Sequence, residues 1–233
     1  MHSDTSDLAV LERLAAPAGK DVLDVGCGAG HLTRALTQAG ARVVGLDVSA
    51  DQLAPALAAN AEAGAETRVK YVVGTAQALP LADAAFDLVV FMRSLHHIPV
   101  AEQTAALREA RRVLAPGGLV YAAEPLPKGD FFELTSLVED ELEVRRAAQR
   151  ALAAAAEVGL EPLETVEYEV TGHYPHVEAF RARIVAAEPE REPIFEARAG
   201  EIHAAFGHMG EPAQDGEGRV FRQPMLAQLL RAV

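Results

Sequence analysis

Three glycines at alternate positions, Gly26, Gly28 and Gly30, follow the carboxylate Asp24, and a second carboxylate, Asp47, stands further along the chain. A glycine turn lets the backbone approach a ligand closely, and a helix that starts there offers free N–H groups. A carboxylate at the end of the next strand can accept hydrogen bonds from both hydroxyls of a ribose. A dinucleotide loop reads G-x-G-x-x-G. Here the spacing is G-x-G-x-G, with His31 where the dinucleotide pattern wants glycine. This suits a ligand that carries a nucleoside but no pyrophosphate. A second group, His96, His97 and Glu124, could take a proton from a reacting molecule, and His173, Tyr174 and His176 offer the same chemistry further on. Cys27 is the single cysteine, which excludes an intrachain disulfide and a thiolate metal cluster and leaves a small loop residue.

The elements that must hold these residues are readable from the pattern. Residues 3–16 have capping residues (Thr5, Ser6, Asp7) and then Leu8, Leu11 and Leu14 at helix spacing, stopped by Pro17 and Gly19. Apolar strands are predicted at 21–25, 41–47, 68–74, 86–91 and 119–123. Crossover helices are predicted at 30–39, at 49–63 (a capping box of Ser49 and Gln52, an end at Gly64) and at 100–114, where Ala105, Ala106, Leu107, Ala110 and Leu114 face the sheet. Residues 75–85 read as loop, and Pro116-Gly117-Gly118 ends the third crossover helix. The alternation predicts an α/β fold with a doubly wound, mostly parallel sheet. Ligands of such sheets lie beyond the carboxyl ends of the strands, where the glycine turn, Asp47, His96, His97 and Glu124 fall.

The second half differs. Residues 129–159 contain no internal Gly or Pro and read as one long or two abutting helices; 163–174 alternates as a strand; 175–210 is helical. Residues 211–218 form a polar turn, and 219–230 reads as a last strand in which Pro224 implies an edge or a bulge. Phe131, Phe132, Tyr174, Phe180 and Phe206 lie at helix spacing, which usually means core.

With 233 residues, half of them hydrophobic, the chain can form one good-sized domain. Its formal charge of −13 argues against a nucleic acid partner, which needs a basic surface, and against an anionic membrane. The first residues have neither the basic nor the apolar region of a signal peptide, and no apolar run is long enough to span a bilayer. With a single cysteine, the expectation is a cytoplasmic protein.

The segments Val-Leu-Asp-Val-Gly-Cys-Gly-Ala-Gly (22–30), Val-Val-Gly-Leu-Asp-Val-Ser (43–49), Gly-Thr-Ala-Gln-Ala-Leu-Pro-Leu (74–81), Phe-Asp-Leu-Val-Val (86–90), Leu-His-His-Ile (95–98) and Arg-Val-Leu-Ala-Pro-Gly-Gly (112–118) occur in this order. Over residues 21–125 the chain resembles the class I S-adenosylmethionine-dependent methyltransferases, in the small-molecule branch that includes those of ubiquinone and menaquinone biosynthesis. The resemblance implies a Rossmann-like, seven-stranded sheet whose last strand is antiparallel, with a helical lid. It implies one methyltransferase domain over 1–233, with a cofactor-binding core at 1–127 and helical segments at about 128–160 and 175–217 over the acceptor pocket.

For the cofactor S-adenosyl-L-methionine, and its product S-adenosyl-L-homocysteine, the resemblance implies that Gly26, Gly28 and Gly30 line the methionine and ribose portions, with Asp24 bracing the loop. It places the ribose on Asp47, the adenine on Val48 and between Ala76 and Gln77, and Arg93 near the methionine end, mostly through its backbone. His96, His97 and Glu124 are then candidate catalytic residues for methyl transfer to a small organic acceptor on O, N or C. No carboxylate cluster with metal-ligand spacing can be assembled, so no metal is expected. The Asn-Pro-Pro-Tyr type of motif that serves flipped-out bases is absent; Met92-Arg93-Ser94-Leu95 stands there. A long apolar helix would suit a homodimer. The alternative function is an S-adenosylmethionine-binding regulatory or partner protein without transferase activity.

One position departs from the family pattern. Members commonly carry Asp after the glycine of the adenine loop, where this chain has Thr75. A charged acceptor contributes roughly 1.5–3 kcal/mol against about 1 for a neutral one. Thr75→Asp should therefore tighten cofactor binding, by roughly 3- to 10-fold in a calorimetric titration. Unchanged or weaker binding would count against an adenine contact at Thr75.

Overall fold

The computed structural model of the chain describes residues 6–62, 69–214 and 216–233. Helix α1 (Asp7–Ala15) starts at Ser6, whose Oγ accepts the Ala9 N–H at 3.2 Å, and buries Val10, Leu11 and Ala15. Strand β1 (Asp21–Val25) is buried from its second residue on, as an apolar strand covered on both faces must be. The chain continues through α2 (His31–Gln38), β2 (Arg42–Asp47), α3 (Ala50–Glu62), β3 (Lys70–Val73) and β4 (Phe86–Met92). After a 3-10 turn at Val100–Glu102 come α4 (Gln103–Val113) and β5 (Leu114–Pro125). The end expected near Gly64 for the second crossover helix, the strand start at Arg68 and the cap at Thr5 lie outside the described residues.

The remaining elements are α5 (Asp130–Thr135), α6 (Leu142–Ala153), β6 (Leu160–Tyr174), α7 (Val177–Ala187), α8 (Glu192–Ala197), α9 (Ala199–His208), β7 (Glu211–Pro212) and β8 (Arg219–Ala232). The sheet has the order β3-β2-β1-β4-β5-β8-β6, with β7 attached to β8. Strands β1 to β5 pair in parallel and the last strands are antiparallel. The fold is therefore the mostly parallel, doubly wound α/β sheet that the sequence predicts.

Its winding fixes where a ligand can sit. From β1 the chain steps outward through β2 to β3, then returns to the other side of β1 for β4 and β5, so β1 and β4 flank the point where the order reverses. The registers Val25↔Leu46, Val25↔Phe91, Asp47↔Val73 and Met92↔Ala123 align the strand ends. One residue beyond β1, Gly26 is level with Asp47, Met92 and Ala123. One step further, Cys27, Val48, Arg93 and Glu124 share a level.

Two compact units are present. One comprises Ser6–Glu124, Ala147–Val166 and Leu226–Val233. Its core joins Leu23, Val25, Val89, Phe91, Leu107 and Val120 to Ala148, Leu152, Leu160 and Leu230. The other comprises Pro125–Arg146 and Glu167–Met225. Its core is aromatic: Phe180 makes edge contacts with Phe131 and Tyr174, and Phe195, Phe206 and Phe221 complete the cluster. Phe132 instead lies under the Arg145 guanidinium, 5.0 Å from ring centroid to Cζ.

Several sequence readings are corrected. Strand β5 begins at Leu114, not 119, because Leu114 pairs with Phe86 before a register shift carries the strand to Leu88↔Leu119. Of the two readings of 129–159, the two-helix one holds, with a break between α5 and α6, and the second half of α6 packs in the core of the sheet unit. Glu211 and Pro212, expected in a turn, pair antiparallel with Val220 and Arg219, which adds an eighth strand. Pro224 is on no edge, since β8 lies between β5 and β6; its carbonyl accepts the Leu126 N–H at 2.9 Å. Among the described residues no helix is long and apolar enough to cross a membrane.

Candidate active site

The glycine turn is tied to both neighbouring strands. The Gly26 and Cys27 N–H groups both donate to the Leu46 carbonyl, at 2.8 and 3.0 Å. A Cβ on Gly26 would come within 2.5 Å of Ser94 Cβ, and Ser94 Oγ donates to the Val25 carbonyl at 2.6 Å. At Gly30, which caps α2, a Cβ would collide with the Tyr71 hydroxyl and Ala56. Gly28 is different. Its φ of +49° is left-handed, yet nothing lies within 4 Å of where a Cβ would point. Gly26 and Gly30 serve packing, whereas Gly28 presents its backbone to open space.

Asp47 is the anchor of this turn. Its Oδ2 accepts the Gly28 N–H at 2.8 Å and its Oδ1 accepts the Ser49 N–H at 3.0 Å. A full capping box would direct that Ser49 N–H to Gln52; the other half of the box is present, with Gln52 N–H on Ser49 Oγ at 3.2 Å. Each carboxylate oxygen keeps a second lone pair, so the carboxylate is oriented without being used up. Beside it, Val48 is 68% exposed and Val73 56% exposed, an apolar ledge next to a charged group.

Asp24 lies beneath the turn, where Thr33 Oγ1 donates to its Oδ2 at 2.6 Å. Burial pushes its carboxyl up to about 6; the Thr33 hydrogen bond opposes this and the charge of Asp47 adds to it. The same desolvation, together with the charges of Asp24 and Asp47, pushes the Cys27 thiol up to about 12, so it stays protonated and is no nucleophile at neutral pH.

The loop after β3 is braced from α4. Glu109 Oε2 accepts the Leu79 N–H at 2.9 Å, and Arg112 donates to the carbonyls of Leu79 and Leu81 at 3.0 and 2.9 Å while paired with Glu109. This leaves Thr75, Ala76 and Gln77 at the head of the loop. Thr75 bridges to Ala78, Ala76 is buried, and the Gln77 side-chain amide donates to Glu102.

After β4, Arg93 turns the chain with φ +55°, its N–H on the Ala123 carbonyl at 2.8 Å. Its guanidinium donates to Asp7 Oδ2 at 2.5 Å. The following residues converge on Glu124, which has no exposed surface. Glu124 Oε1 accepts the N–H groups of Ser94 and Leu95 at 3.2 and 2.8 Å, and Oε2 pairs with His96 Nδ1. A carboxylate buried this deeply needs such donors. Facing a carboxylate, Nδ1 is the ring nitrogen that donates, and this contact fixes the orientation of the imidazole. His97 is exposed and lies against His96, with ring centroids 4.1 Å apart.

The structure thus brings Gly26, Gly28, Asp24 and Asp47 together, and separately joins Arg93, His96 and Glu124 around one turn. His173, Tyr174 and His176 serve other ends: His173 bonds the Glu217 carbonyl, Tyr174 enters the aromatic core and His176 caps α7. Sequence reasoning missed Thr33, Ser94, Glu109, Arg112 and Asp7. Only the hydroxyl of Ser94, directly behind an apolar strand, carried any signal.

The raised Asp24 carboxyl has a measurable consequence. It holds its proton more tightly in the folded chain than in the unfolded one, so its stabilising contribution is complete below about pH 4 and is lost as pH rises through about 6. At neutral pH the charge then costs on the order of 2–3 kcal/mol. Asp24→Asn keeps an acceptor for Thr33 and removes the charge. Urea denaturation from pH 4 to 7 should show the variant gaining on the wild type as pH rises; parallel curves would refute a buried, proton-binding Asp24.

With this geometry in hand, comparison with known proteins is informative. Residues 22–118 match the family model described as a methyltransferase domain. Methyltransferase GfsG of Streptomyces halstedii is 38% identical over 128 residues, 54% of this chain and 45% of that one. The ubiquinone biosynthesis O-methyltransferase of Pseudomonas entomophila is 36% identical over 104 residues, 45% of this chain and 44% of that one. The chain therefore spans less than half the length of these curated relatives. A crystal structure from Bacillus halodurans C-125, described as that of a methyltransferase, is 25% identical, with a TM-score of 0.66 over 97% of this chain and 98% of the other. Glycine turn, strand-end carboxylate, sheet order and these likenesses agree: residues 22–118 form a methyltransferase domain, and the chain is similar in sequence and fold to the class I S-adenosylmethionine-dependent methyltransferases.

Proposed function

We propose that the protein transfers the methyl group of S-adenosylmethionine to a small organic acceptor, on O, N or C, and releases S-adenosylhomocysteine. The observation that carries this reading is Asp47: a strand-end carboxylate, held by two backbone N–H groups, with a lone pair on each oxygen left for a diol. The residues present fit the donor, since Gly28 opens to free space beside that carboxylate and Val48 offers apolar surface for a base.

In this reading Asp47 holds the ribose, Val48 with Thr75, Ala76 and Gln77 holds the adenine, and Gly26, Gly28, Gly30 and Arg93 take the methionine portion, with Asp24 supporting the turn. The bound donor supplies a sulfonium methyl group that an acceptor takes by in-line displacement, so the protein's task is proximity and alignment. Where the acceptor must lose a proton, His96 receives it at Nε2 while Glu124 fixes the orientation of the ring; His97, beside it, is the second candidate. The helical segments 128–160 and 175–217 are the candidates for acceptor specificity, because both lie beyond the family match that ends at residue 118. The charge of −13 favours a neutral or cationic small molecule over a nucleic acid.

Calorimetric titration with S-adenosylhomocysteine tests the assignment. Asp47→Ala should bind it about 100-fold more weakly or not at all, the loss expected for two hydrogen bonds to a charged group, with its far-ultraviolet circular dichroism unchanged. Tight binding by that variant would remove the ribose from Asp47.

A further inference from the structure

The turn after β3 carries an amide whose two arms have different surroundings. Gly74 N–H donates to the Asp47 carbonyl at 2.9 Å, which starts the turn beside the strand-end carboxylate. Ala78 N–H then returns to the Thr75 carbonyl at 3.3 Å, so Ala76 and Gln77 form the tip. Ala76 is buried there and Gln77 is half-buried. The Gln77 side chain bonds Glu102, in the 3-10 turn that precedes α4. In the sheet order, β3 and β4 stand on either side of β2 and β1, whose ends carry Asp47 and the glycine turn. The Gln77–Glu102 bond therefore joins the segments on both flanks of the nucleoside position. A carboxylate only accepts hydrogen bonds, so the arm of Gln77 that faces Glu102 is its NH2 group. The other arm, Oε1, accepts no hydrogen bond among the described residues and is open to solvent. The charge of Glu102 polarises the amide and makes Oε1 a stronger acceptor.

We propose that Gln77 Oε1, oriented by Glu102, accepts a hydrogen bond from the 6-amino group of the donor's adenine, and that this pair makes the site prefer a 6-aminopurine over a 6-oxopurine. A 6-amino group has two N–H bonds to place, and the single Thr75 hydroxyl can accept from only one of them. A keto oxygen at the same position would meet Oε1 acceptor to acceptor. Glu102 is a positioning residue, since it acts through the amide and does not touch the base. The proposal rests on the cofactor assignment above, yet it is separable from it. It names the atom that discriminates the base in a loop where Thr75 stands in place of a charged acceptor.

The test compares three thioethers that differ at purine position 6: S-adenosylhomocysteine, its deamino analogue with hydrogen there, and S-inosylhomocysteine with a keto group. Each is titrated calorimetrically into the full chain as wild type, Gln77→Ala, Glu102→Lys and Glu102→Gln. Gln77→Ala should lose roughly 5- to 10-fold in affinity for S-adenosylhomocysteine and less than about 2-fold for the deamino analogue. Glu102→Lys presents a donor where the carboxylate stood, so the Gln77 amide turns over and offers its NH2 group to the base. That variant should bind S-adenosylhomocysteine roughly 5- to 10-fold more weakly and S-inosylhomocysteine more tightly than the wild type. A reversal of this kind is not produced by loss of structure. Glu102→Gln can meet the amide either way round, and should move the ratio of the two affinities part of the way. An equal loss for S-adenosylhomocysteine and its deamino analogue in Gln77→Ala, or no loss, overturns the proposal and leaves the cofactor assignment intact. The wild-type ratio in both Glu102 variants overturns the orienting role of Glu102. A wild-type chain that binds none of the three ligands overturns the cofactor assignment as well.

Discussion

A carboxylate gripped by two backbone N–H groups is the interaction on which the rest of the site depends. Asp47 ends β2, and its hydrogen bonds to Gly28 and Ser49 connect the glycine turn after β1 to the start of the helix after β2. Three elements from separate parts of the sequence are thereby fixed to one charged group. The turn can approach that closely because Gly26 packs against Ser94 and Gly30 against Tyr71 with no Cβ between. The middle glycine, freed of packing duty, is the one that faces open space.

Buried carboxylates around this turn are handled in two ways. Glu124 receives three donors and serves as a hub that orders residues 94–96. Asp24 has the hydroxyl of Thr33 and a neighbouring negative charge, and burial raises its proton affinity. The difference follows from counting hydrogen bonds to the charged form, which offset desolvation only when there are enough of them. A hub that orders an imidazole and a carboxyl that props a loop have different uses, although both are acidic residues near the carboxyl ends of strands, β1 and β5, that flank β4.

Much of this was legible in the sequence for physical reasons. Parallel strands buried on both faces leave continuous apolar runs, which is why β1, β2 and β4 were placed to within a residue. The glycine spacing separated a nucleoside ligand from a dinucleotide, and the strand-end position of Asp47 followed from the preceding apolar run. What could not be read depends on register between distant segments. Met92↔Ala123 is what puts Glu124 beside the turn at 94–96, and nothing local in Leu95-His96-His97 announces that a carboxylate 28 residues away will bind it. The Ser94 hydroxyl, the Asp7–Arg93 pair and the bracing of the adenine loop by Arg112 have the same character. Pro224 pointed to an edge or a bulge because it lacks an N–H; β8 is interior, which removes the edge, and the Pro224 carbonyl is what the strand uses. For 129–159 the pattern left one long or two abutting helices open, because no Gly or Pro marks the break between α5 and α6.

The claim that the glycine turn and Asp47 together hold the nucleoside of S-adenosylmethionine is tested most directly by a crystal structure of the chain grown with S-adenosylhomocysteine. The expected density places both ribose hydroxyls within hydrogen-bond distance of the Asp47 carboxylate and the thioether chain along Gly26 and Gly28. A ribose bound to any other carboxylate, or a ligand seated away from the carboxyl ends of β1 and β4, would contradict it.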